Sequence, residues 1–376
     1  MILCGDSRPD KMSTSERSSA PRKLLIVCDS GPNIGFGHLM RSRAIADTAC
    51  RNGIETTIIG PKLHYSNEHD RTRFAEWIEY PEKGVDGWED WTRLLTRVAQ
   101  SKGVRHAIID DYRVPSAQQL VLREHGLRIL HQYDASAPPS FAANLAVNAS
   151  PAESAARHAK QLLRHDVDFL NGPRFAVIRE AFAATAVRPI ERPVRRILVT
   201  FGGGDDRGGI GFSIGSLAPA LRLRPDIRLV VMTSAQNPNV SAIKSLIEGQ
   251  GLSNVDIELD HPDVPALMAS CDLAVMAGGT SVYEAAFCGL PMILIAIASN
   301  QEGQCKGWDG LRAARYLGNI QELRERHLLS CTLSLLDDRD ARMNMARAGR
   351  DNVDLKGATR LLEALFEREL GFEVIQ

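Results

Sequence analysis

The chain has 376 residues, of which 44% are hydrophobic and 24% charged, and its formal net charge is −1. This composition is that of an ordinary globular protein, and the length exceeds what one hydrophobic core usually supports, so we expect two domains. The near-zero net charge argues against a nucleic acid or an anionic membrane as the main partner. No apolar run approaches the roughly 18 residues of a membrane-spanning helix, so we expect no stable membrane insertion.

The chain start and the cysteines indicate the compartment. Residues 1–21 are polar, of mixed charge and without the apolar segment of a signal peptide, so we expect a disordered extension. The seven cysteines show no paired metal-ligand spacing, and several lie in apolar runs. Buried, reduced thiols of this kind favour a cytoplasmic protein.

Short apolar runs alternate with helical patterns along the chain, which is typical of parallel α/β folds. In the first half, strands are predicted over residues 24–28, 56–59, 106–109, 127–130 and 145–147. Helices are predicted there over about 38–51, 88–100, 116–124 and 151–165. In the second half, strands are predicted over residues 196–201, 229–232, 255–259, 273–276 and 292–295.

A change of composition separates the two halves. Residues 181–193 are rich in alanine, contain prolines and lack strand periodicity, which predicts a linker. We therefore expect two Rossmann-like domains, over residues 22–185 and 190–376. Because ligands of parallel sheets bind at the carboxyl ends of the strands, glycine turns at those ends should face each other across a cleft.

The run Ile34-Gly35-Phe36-Gly37-His38-Leu39-Met40-Arg41 follows the first predicted strand. Its glycines favour a tight turn and a close approach to a ligand, so Gly35 and Gly37 are candidate substrate-binding residues. His38 and Arg41 are three residues apart and share one face of the helix that follows. His38 is the candidate base and Arg41 a candidate substrate contact, although a histidine at a helix start is also typical of a cap.

Two further glycine turns follow predicted strands of the second half, at 202–204 and 278–280. Neither turn matches a dinucleotide fingerprint or a phosphate-binding loop, which argues against a nicotinamide enzyme or an ATPase. Gly278, Gly279 and Thr280 precede a helix whose free N–H groups would attract a phosphate. Glu284, one turn later, could accept hydrogen bonds from two ribose hydroxyls. A plain capping motif explains the same run without a ligand.

Polar residues at other strand ends complete the candidate set, although each is weak evidence by itself. Asp111 and Tyr112 follow a strand of the first half at the same expected edge as His38, and are further candidates for catalysis. Asn300 and Gln301 follow the last predicted strand, where their amides could bind sugar hydroxyl or acetamido groups. Gly203 is the candidate in the other glycine turn.

The order of these motifs resembles a known family. They are G-F-G-H-x-x-R, D-x-Y after a strand, N-G-P-R-F-A-V-I-R over residues 171–179, F-G-G-G-D, A-G-G-T-x-x-x-E and N-Q. Together they are similar to the UDP-2,4-diacetamido-2,4,6-trideoxy-β-L-altropyranose hydrolases of pseudaminic acid biosynthesis. The resemblance covers about residues 22–365 and includes Asp354, Gly357 and Arg360.

The resemblance implies a GT-B fold and an inverting hydrolysis of a UDP-sugar without metal or cofactor, by a chain that we expect to act as a monomer. It implies that His38 activates or positions water and that Tyr112 lines the same pocket. It assigns to the UDP-sugar site Gly279, Thr280, Glu284, Asn300 and Gln301. Gly172, Pro173 and Arg179 match a segment that we interpret as mainly structural.

The chain also departs from the family. His131-Gln132-Tyr133-Asp134 stands where family members usually have two aspartates, which leaves the sugar open. A glycosyltransferase that uses a UDP-amino-sugar donor is the alternative hypothesis. Such enzymes, when they act on lipids, often carry an exposed apolar and basic patch on the first domain, and the sequence shows no clear one.

Overall fold

The computed structural model describes residues 21–31, 34–80, 87–111, 113–133, 141–152, 167–185 and 193–366. Within these ranges the chain forms two sheets, of seven and six strands, in which every paired strand is parallel. The predicted α/β class is therefore confirmed. The predicted extension (apart from residue 21), Tyr112, and most of the predicted helix over 151–165 lie outside the described residues.

The first sheet has the strand order β3-β2-β1-β4-β5-β6-β7. Its strands are β1 Arg22–Cys28, β2 Ile54–Gly60, β3 Glu76–Glu79, β4 His106–Asp110, β5 Arg128–Gln132, β6 Leu145–Asn148 and β7 Asp168–Asn171. The helices of this half are α1 Gly37–Arg51, α2 Asp70–Arg73, α3 Gly87–Lys102 and α4 Ser116–Glu124. The strands β3 and β7 were not predicted, because both lie at sheet edges and contain no buried apolar run.

The second sheet has the strand order β10-β9-β8-β11-β12-β13. Its strands are β8 Arg196–Thr200, β9 Arg228–Thr233, β10 Val255–Leu259, β11 Leu273–Ala277, β12 Met292–Ala296 and β13 Ala314–Asn319. The helices that follow β8 are α5 Gly209–Leu223, α6 Val240–Gln250, α7 Val264–Ser270, α8 Ser281–Cys288, α9 Ser299–Gly310, α10 Glu325–Asp337, α11 Arg339–Asn352 and α12 Gly357–Leu365. The edge strand β13 was not predicted, since only its first residue is buried.

Helices cover both faces of each sheet, which explains why the central strands are continuous apolar runs. In β1, Leu24 and Ile26 pack toward α1, whereas Leu25 and Val27 pack toward Trp91 of α3. Each buried side chain of this size contributes about 1.5–3 kcal/mol before conformational entropy is subtracted. The core therefore holds the carboxyl ends of the strands, where the candidate residues lie, in fixed positions.

The last described helix, α12, belongs to the first sheet rather than to the second. Leu361 and Leu365 are fully buried against residues of β1, α1 and β5. The ring of His106 stacks on Phe366 with centroids 4.1 Å apart. The sequence prediction had placed this helix in the second domain, residues 190–376. Its packing on the first sheet shows that the chain crosses back to the first domain after the second sheet is complete.

The D-x-x-G-x-x-R element explains how α12 is attached. A side chain at Gly357 would overlap the carbonyl oxygen of Ala176, so only glycine permits this approach. Arg360 pairs with Asp354 and donates to the carbonyl oxygen of Arg174 at 2.7 Å. The element therefore fixes α12 to the segment that follows β7.

The first residues of the predicted linker over 181–193 are folded and packed on the second domain. Glu180–Ala184 forms a short 3₁₀ helix, and Phe182 is fully buried in the hydrophobic cluster of the second domain that includes Val282. Residues 186–192 lie outside the described ranges. Among the described residues, no helix is both long enough and apolar enough to cross a bilayer. The six described cysteines are free thiols, and four of them are buried.

Candidate active site

The strand orders place a topological switch point in each sheet, between β1 and β4 in the first and between β8 and β11 in the second. Open α/β sheets bind ligands outside the carboxyl ends of the strands at such a point. The turn before His38 follows β1, and Asp110 is the last residue of β4. The turn at 278–280 follows β11. The candidate residues of both domains thus lie at the edges where ligands are expected.

The turn after β1 is shaped by its own backbone. Gly35 has a φ of +94°, a conformation that strains any other residue, and its N–H donates to the carbonyl oxygen of Gly31 at 2.7 Å. The Ser30 hydroxyl donates to the carbonyl oxygen of Gly35 at 2.7 Å. Helix α1 then begins at Gly37, and no side chain caps its start. The His38 ring is therefore not a helix cap.

His38 instead faces a buried carboxylate. Its Nδ1 lies 2.8 Å from Oδ1 of Asp110, whose side chain is only 1% exposed. Arg41 donates to the same carboxylate twice, from Nε to Oδ2 at 2.8 Å and from Nη2 to Oδ1 at 2.6 Å. The histidine and arginine that were predicted to share a helix face meet at one acid.

The electrostatics of this group determine the tautomer of His38. Burial by itself would raise the pKa of Asp110, but Arg41 and His38 outweigh burial and hold that pKa well below its usual range. An ionised carboxylate only accepts hydrogen bonds, so Nδ1 of His38 carries a proton, and in the neutral ring the lone pair is then on Nε2. A histidine oriented in this way can accept a proton from water.

Asp110, and not the predicted Asp111, is therefore the acid beside the candidate base, and a catalytic role of Asp111 stays a prediction. Successive strand residues point to opposite faces. Asp111 accordingly accepts from Tyr80 and from Arg113, each at 2.7 Å, on the other side of the sheet edge. Asp110 and Ile108 are two positions apart on β4, so they share one face of the sheet, and α1 packs on that face. This spacing could have identified Asp110 from the sequence.

The start of α8 lies next to the start of α1. Thr280 is the residue before α8, and no side chain caps that helix. The Thr280 hydroxyl oxygen is 3.1 Å from the point that a Cβ on Gly37 would occupy. The glycine at position 37 therefore allows the two helix starts to approach closely. Both present free N–H groups and the positive ends of their dipoles, an arrangement that suits a diphosphate.

The two glycines before Thr280 have different roles. A side chain on Gly278 would overlap Sγ of Cys305 in α9, so close packing explains why glycine occupies this position. A substrate contact by Gly278 stays a prediction. A Cβ on Gly279 would meet nothing within 4 Å. Gln304 donates to the carbonyl oxygens of both glycines, at 3.0 and 2.8 Å. Sequence analysis missed Gln304, which lies one helical turn after Gln301.

No protein-family model matches the chain. In sequence, the chain is 28% identical over 203 residues to the spore coat polysaccharide biosynthesis protein SpsG of Bacillus subtilis, and the match spans 53% of this chain and 59% of SpsG. It is 24% identical over 281 residues to the UDP-2,4-diacetamido-2,4,6-trideoxy-beta-L-altropyranose hydrolase of Campylobacter jejuni, over 74% of this chain and 93% of that protein. These weak homologies agree with the family suspected from the motifs.

Solved structures extend the comparison over almost the whole chain. MurG of Acinetobacter baumannii superposes with a TM-score of 0.62 at 14% identity, over 92% of this chain and 99% of its own. The glycosyltransferase WaaG, described as involved in lipopolysaccharide biosynthesis, gives a TM-score of 0.61 at 16% identity, over 92% and 100%. The chain has the GT-B fold. As in other GT-B proteins, the carboxyl ends of two Rossmann-like sheets face one cleft.

Glu284 lies in the first turn of α8, on the second-domain side of the GT-B cleft. Its carboxylate is paired with Arg179, whose Nε and Nη2 donate to the two oxygens at 2.6 and 3.0 Å. The side chain of Glu284 is 12% exposed and that of Arg179 is 26% exposed. After Gln304, Arg179 is the second polar residue near the start of α8 that sequence analysis did not name as a candidate there.

The remaining candidates on this side of the GT-B cleft divide by their contacts. Gln301 accepts from the N–H of Ile297 at 3.1 Å, so its amide stabilises the end of β12. Asn300 is exposed at the start of α9. Gly203 lies in the loop that follows β8, where a side chain would come within 3.3 Å of Cβ of Ser234. Asn300 therefore remains the better candidate for a sugar contact.

Proposed function

We propose that this chain hydrolyses the anomeric C–O bond of a UDP-linked diacetamido-trideoxy sugar and releases UDP and the free sugar. The observation that carries the proposal is the His38–Asp110 pair at the start of α1, next to the start of α8 through the contact between Gly37 and Thr280. In this proposal, the base and the anion-binding helix start act at one point of the cleft. We also propose that the free sugar supplies nonulosonic acid biosynthesis in the cytoplasm.

The reaction needs three contributions from the chain. The oxygen of a water molecule attacks the anomeric carbon while Nε2 of His38 accepts one of its protons. The bond between that carbon and the diphosphate oxygen breaks, and UDP leaves with the electron pair. The helix start at Gly279 and Thr280 stabilises the developing charge on the diphosphate, so no cation is required. Attack from the side opposite UDP inverts the anomeric configuration.

The nature of the sugar is supported by the sequence relatives. The Campylobacter jejuni protein is named for a UDP-diacetamido-trideoxy sugar, and the match covers 93% of its length. The match to SpsG covers only 59% of that protein, so it supports sugar biosynthesis and nothing narrower. We propose that the exposed amide of Asn300 contacts the sugar, since amides pair well with acetamido groups.

The proposal is tested by incubating the purified chain with UDP-sugars and measuring UDP release in the absence of any acceptor. We expect equal amounts of UDP and free sugar, with the anomeric configuration inverted when NMR spectra are recorded before the anomers equilibrate. If UDP appears only when a sugar or lipid acceptor is added, the chain is a glycosyltransferase instead.

A His38→Asn variant tests the assignment of the base. A general base contributes about 10²–10⁴-fold in rate, so turnover should fall by that factor. UDP affinity should stay near the parent value, because the proposed nucleotide contacts lie on α8. His125→Asn, the same change at an exposed histidine of the first domain, is the matched control. Parent turnover in His38→Asn would remove His38 from the mechanism.

A further inference from the structure

We infer that Arg179 is a positioning residue that orients Glu284 toward the ribose and thereby sets the preference for a ribonucleotide over a 2′-deoxyribonucleotide. The inference rests on the proposed UDP site and deepens it. Arg179 had been interpreted from sequence as part of a mainly structural segment. The structure places its guanidinium on the carboxylate that is the ribose candidate.

The pairing has the geometry of a fork. Nε and Nη2 of Arg179 donate to different oxygens of Glu284, at 2.6 and 3.0 Å. Two parallel hydrogen bonds fix the plane of the carboxylate as well as its position. A carboxylate has about four lone-pair sites, so each oxygen keeps one with which to accept a hydroxyl. The 2′ hydroxyl of a ribose can donate to one of these remaining sites.

The segment that carries Arg179 contacts both domains. Its guanidinium carbon lies 5.2 Å from the centroid of Phe182, which is fully buried in the core of the second domain. The next residue, Glu180, pairs with Arg51 at the end of α1 in the first domain. A cleft of about 630 Å³ separates this segment from the Met40 side of α1. The segment that carries Arg179 therefore contacts both domains where Arg179 reaches Glu284.

Loss of the fork has a defined consequence. The Glu284 side chain is only 12% exposed, and without Arg179 its carboxylate would be partly buried without an ion pair. The side chain would then regain rotamers that do not face the nucleotide, and its contribution to ribose binding would fall. The opposite idea, that Arg179 blocks the ribose site, predicts tighter nucleotide binding when the arginine is removed.

The test is calorimetric titration of full-length protein with UDP and with 2′-deoxy-UDP. A hydrogen bond to a charged group corresponds to a preference of about tenfold or more for UDP in the parent. In Arg179→Gln we expect this ratio to fall close to one while the affinity for 2′-deoxy-UDP changes less than about twofold. Glu284→Gln should also reduce the ratio, and the double variant should lose little more.

Two further variants keep the result interpretable. Arg179→Lys preserves the charge without the fork, so an intermediate ratio is expected. Arg174→Gln is the matched control, because Arg174 lies in the same segment with its guanidinium 4.8 Å from a phenylalanine ring. It should keep the parent ratio. Melting temperatures show that each variant is folded under the titration conditions.

The outcomes separate this inference from the proposed function. A parent ratio in Arg179→Gln, equal losses for both nucleotides, or tighter UDP binding would each overturn the positioning role. Parent protein that binds UDP without preferring it to 2′-deoxy-UDP would overturn the ribose assignment of Glu284. Parent protein that does not bind UDP would overturn the proposed function itself.

Discussion

Replacing Asp110 by asparagine should separate the chemistry of the first domain from nucleotide binding. The Asp110 carboxylate receives three hydrogen bonds, one from His38 at 2.8 Å and two from Arg41 at 2.8 and 2.6 Å. Asparagine offers one oxygen and one NH₂ group in the same volume. If the oxygen faces Arg41, the NH₂ group faces Nδ1 of His38 and favours the tautomer that is protonated on Nε2, which cannot accept a proton from water.

The expected magnitudes differ for activity, stability and binding. Turnover should fall about 10²–10⁴-fold, the contribution of a positioned general base. Breaking a buried ion pair costs up to about 3–5 kcal/mol, and the Arg41 side chain is only 10% exposed. For a folding unit of about 150–250 residues, such as the domain that carries Asp110, that corresponds to a melting temperature lower by roughly 6–20 °C. The affinity for UDP should stay close to that of the parent.

The pH dependence provides an internal check. Asp110 has a folded pKa below its ordinary 3.8, so its contribution to stability is present above that value and is lost as the pH falls through the folded pKa. The difference in melting temperature between parent and Asp110→Asn should therefore narrow below about pH 4. Turnover is measured by UDP release well below the melting temperature. Parent turnover per folded molecule, with only the melting temperature lowered, would show that Asp110 is structural and that His38 is not oriented by it.

Three other predictions concern stability and metal dependence. Burial lowers the pKa of His131 to about 4, and neither ring nitrogen has a hydrogen-bond partner in the described structure. Between pH 7 and pH 5 the unfolded chain takes up a proton at this histidine that the folded chain does not, so the free energy of unfolding should fall by about 2 kcal/mol. His131→Leu should remove that loss in thermal melts at the two pH values, and an unchanged dependence would refute it. Gly278→Ala should cost about 1–3 kcal/mol in chemical unfolding because of the overlap with Cys305, whereas Gly279→Ala should be close to neutral; equal effects would contradict the packing role. Activity should survive treatment with a chelator, and a need for added magnesium or manganese would show that the helix starts do not provide the charge stabilisation.

The fold was predictable where burial leaves a continuous apolar run. The strand β11, Leu273–Ala277, is buried along its whole length, and its predicted range 273–276 differs by one residue. The edge strands β3, β7 and β13 could not be found in this way, although the edge strand β10 was predicted. In β7, Asp168–Asn171, no residue is fully buried, and its pairing with β6 is a property of the assembled sheet.

The candidate site was predictable where its residues follow one another along the chain. His38 and Arg41 are neighbours on one helix, and Glu284 lies one turn after Thr280. Contacts between distant parts of the chain were not visible in the same way. Arg179 and Glu284 are 105 positions apart, and their pairing depends on how the domain junction packs. The choice between Asp110 and Asp111 required knowledge of which sheet face α1 covers.

The return of α12 to the first sheet changes the order in which the protein can become active. A ribosome releases residues 22–185 long before residues 357–365, so the face of the first sheet on which α1 packs is only partly covered until α12 has been synthesised. All strands of the second sheet precede α12, so that sheet can assemble before α12 packs on the first. The second domain of a nascent chain could therefore be complete before the first. Removal of α12 at the end of the sequence would first destabilise the domain at its beginning.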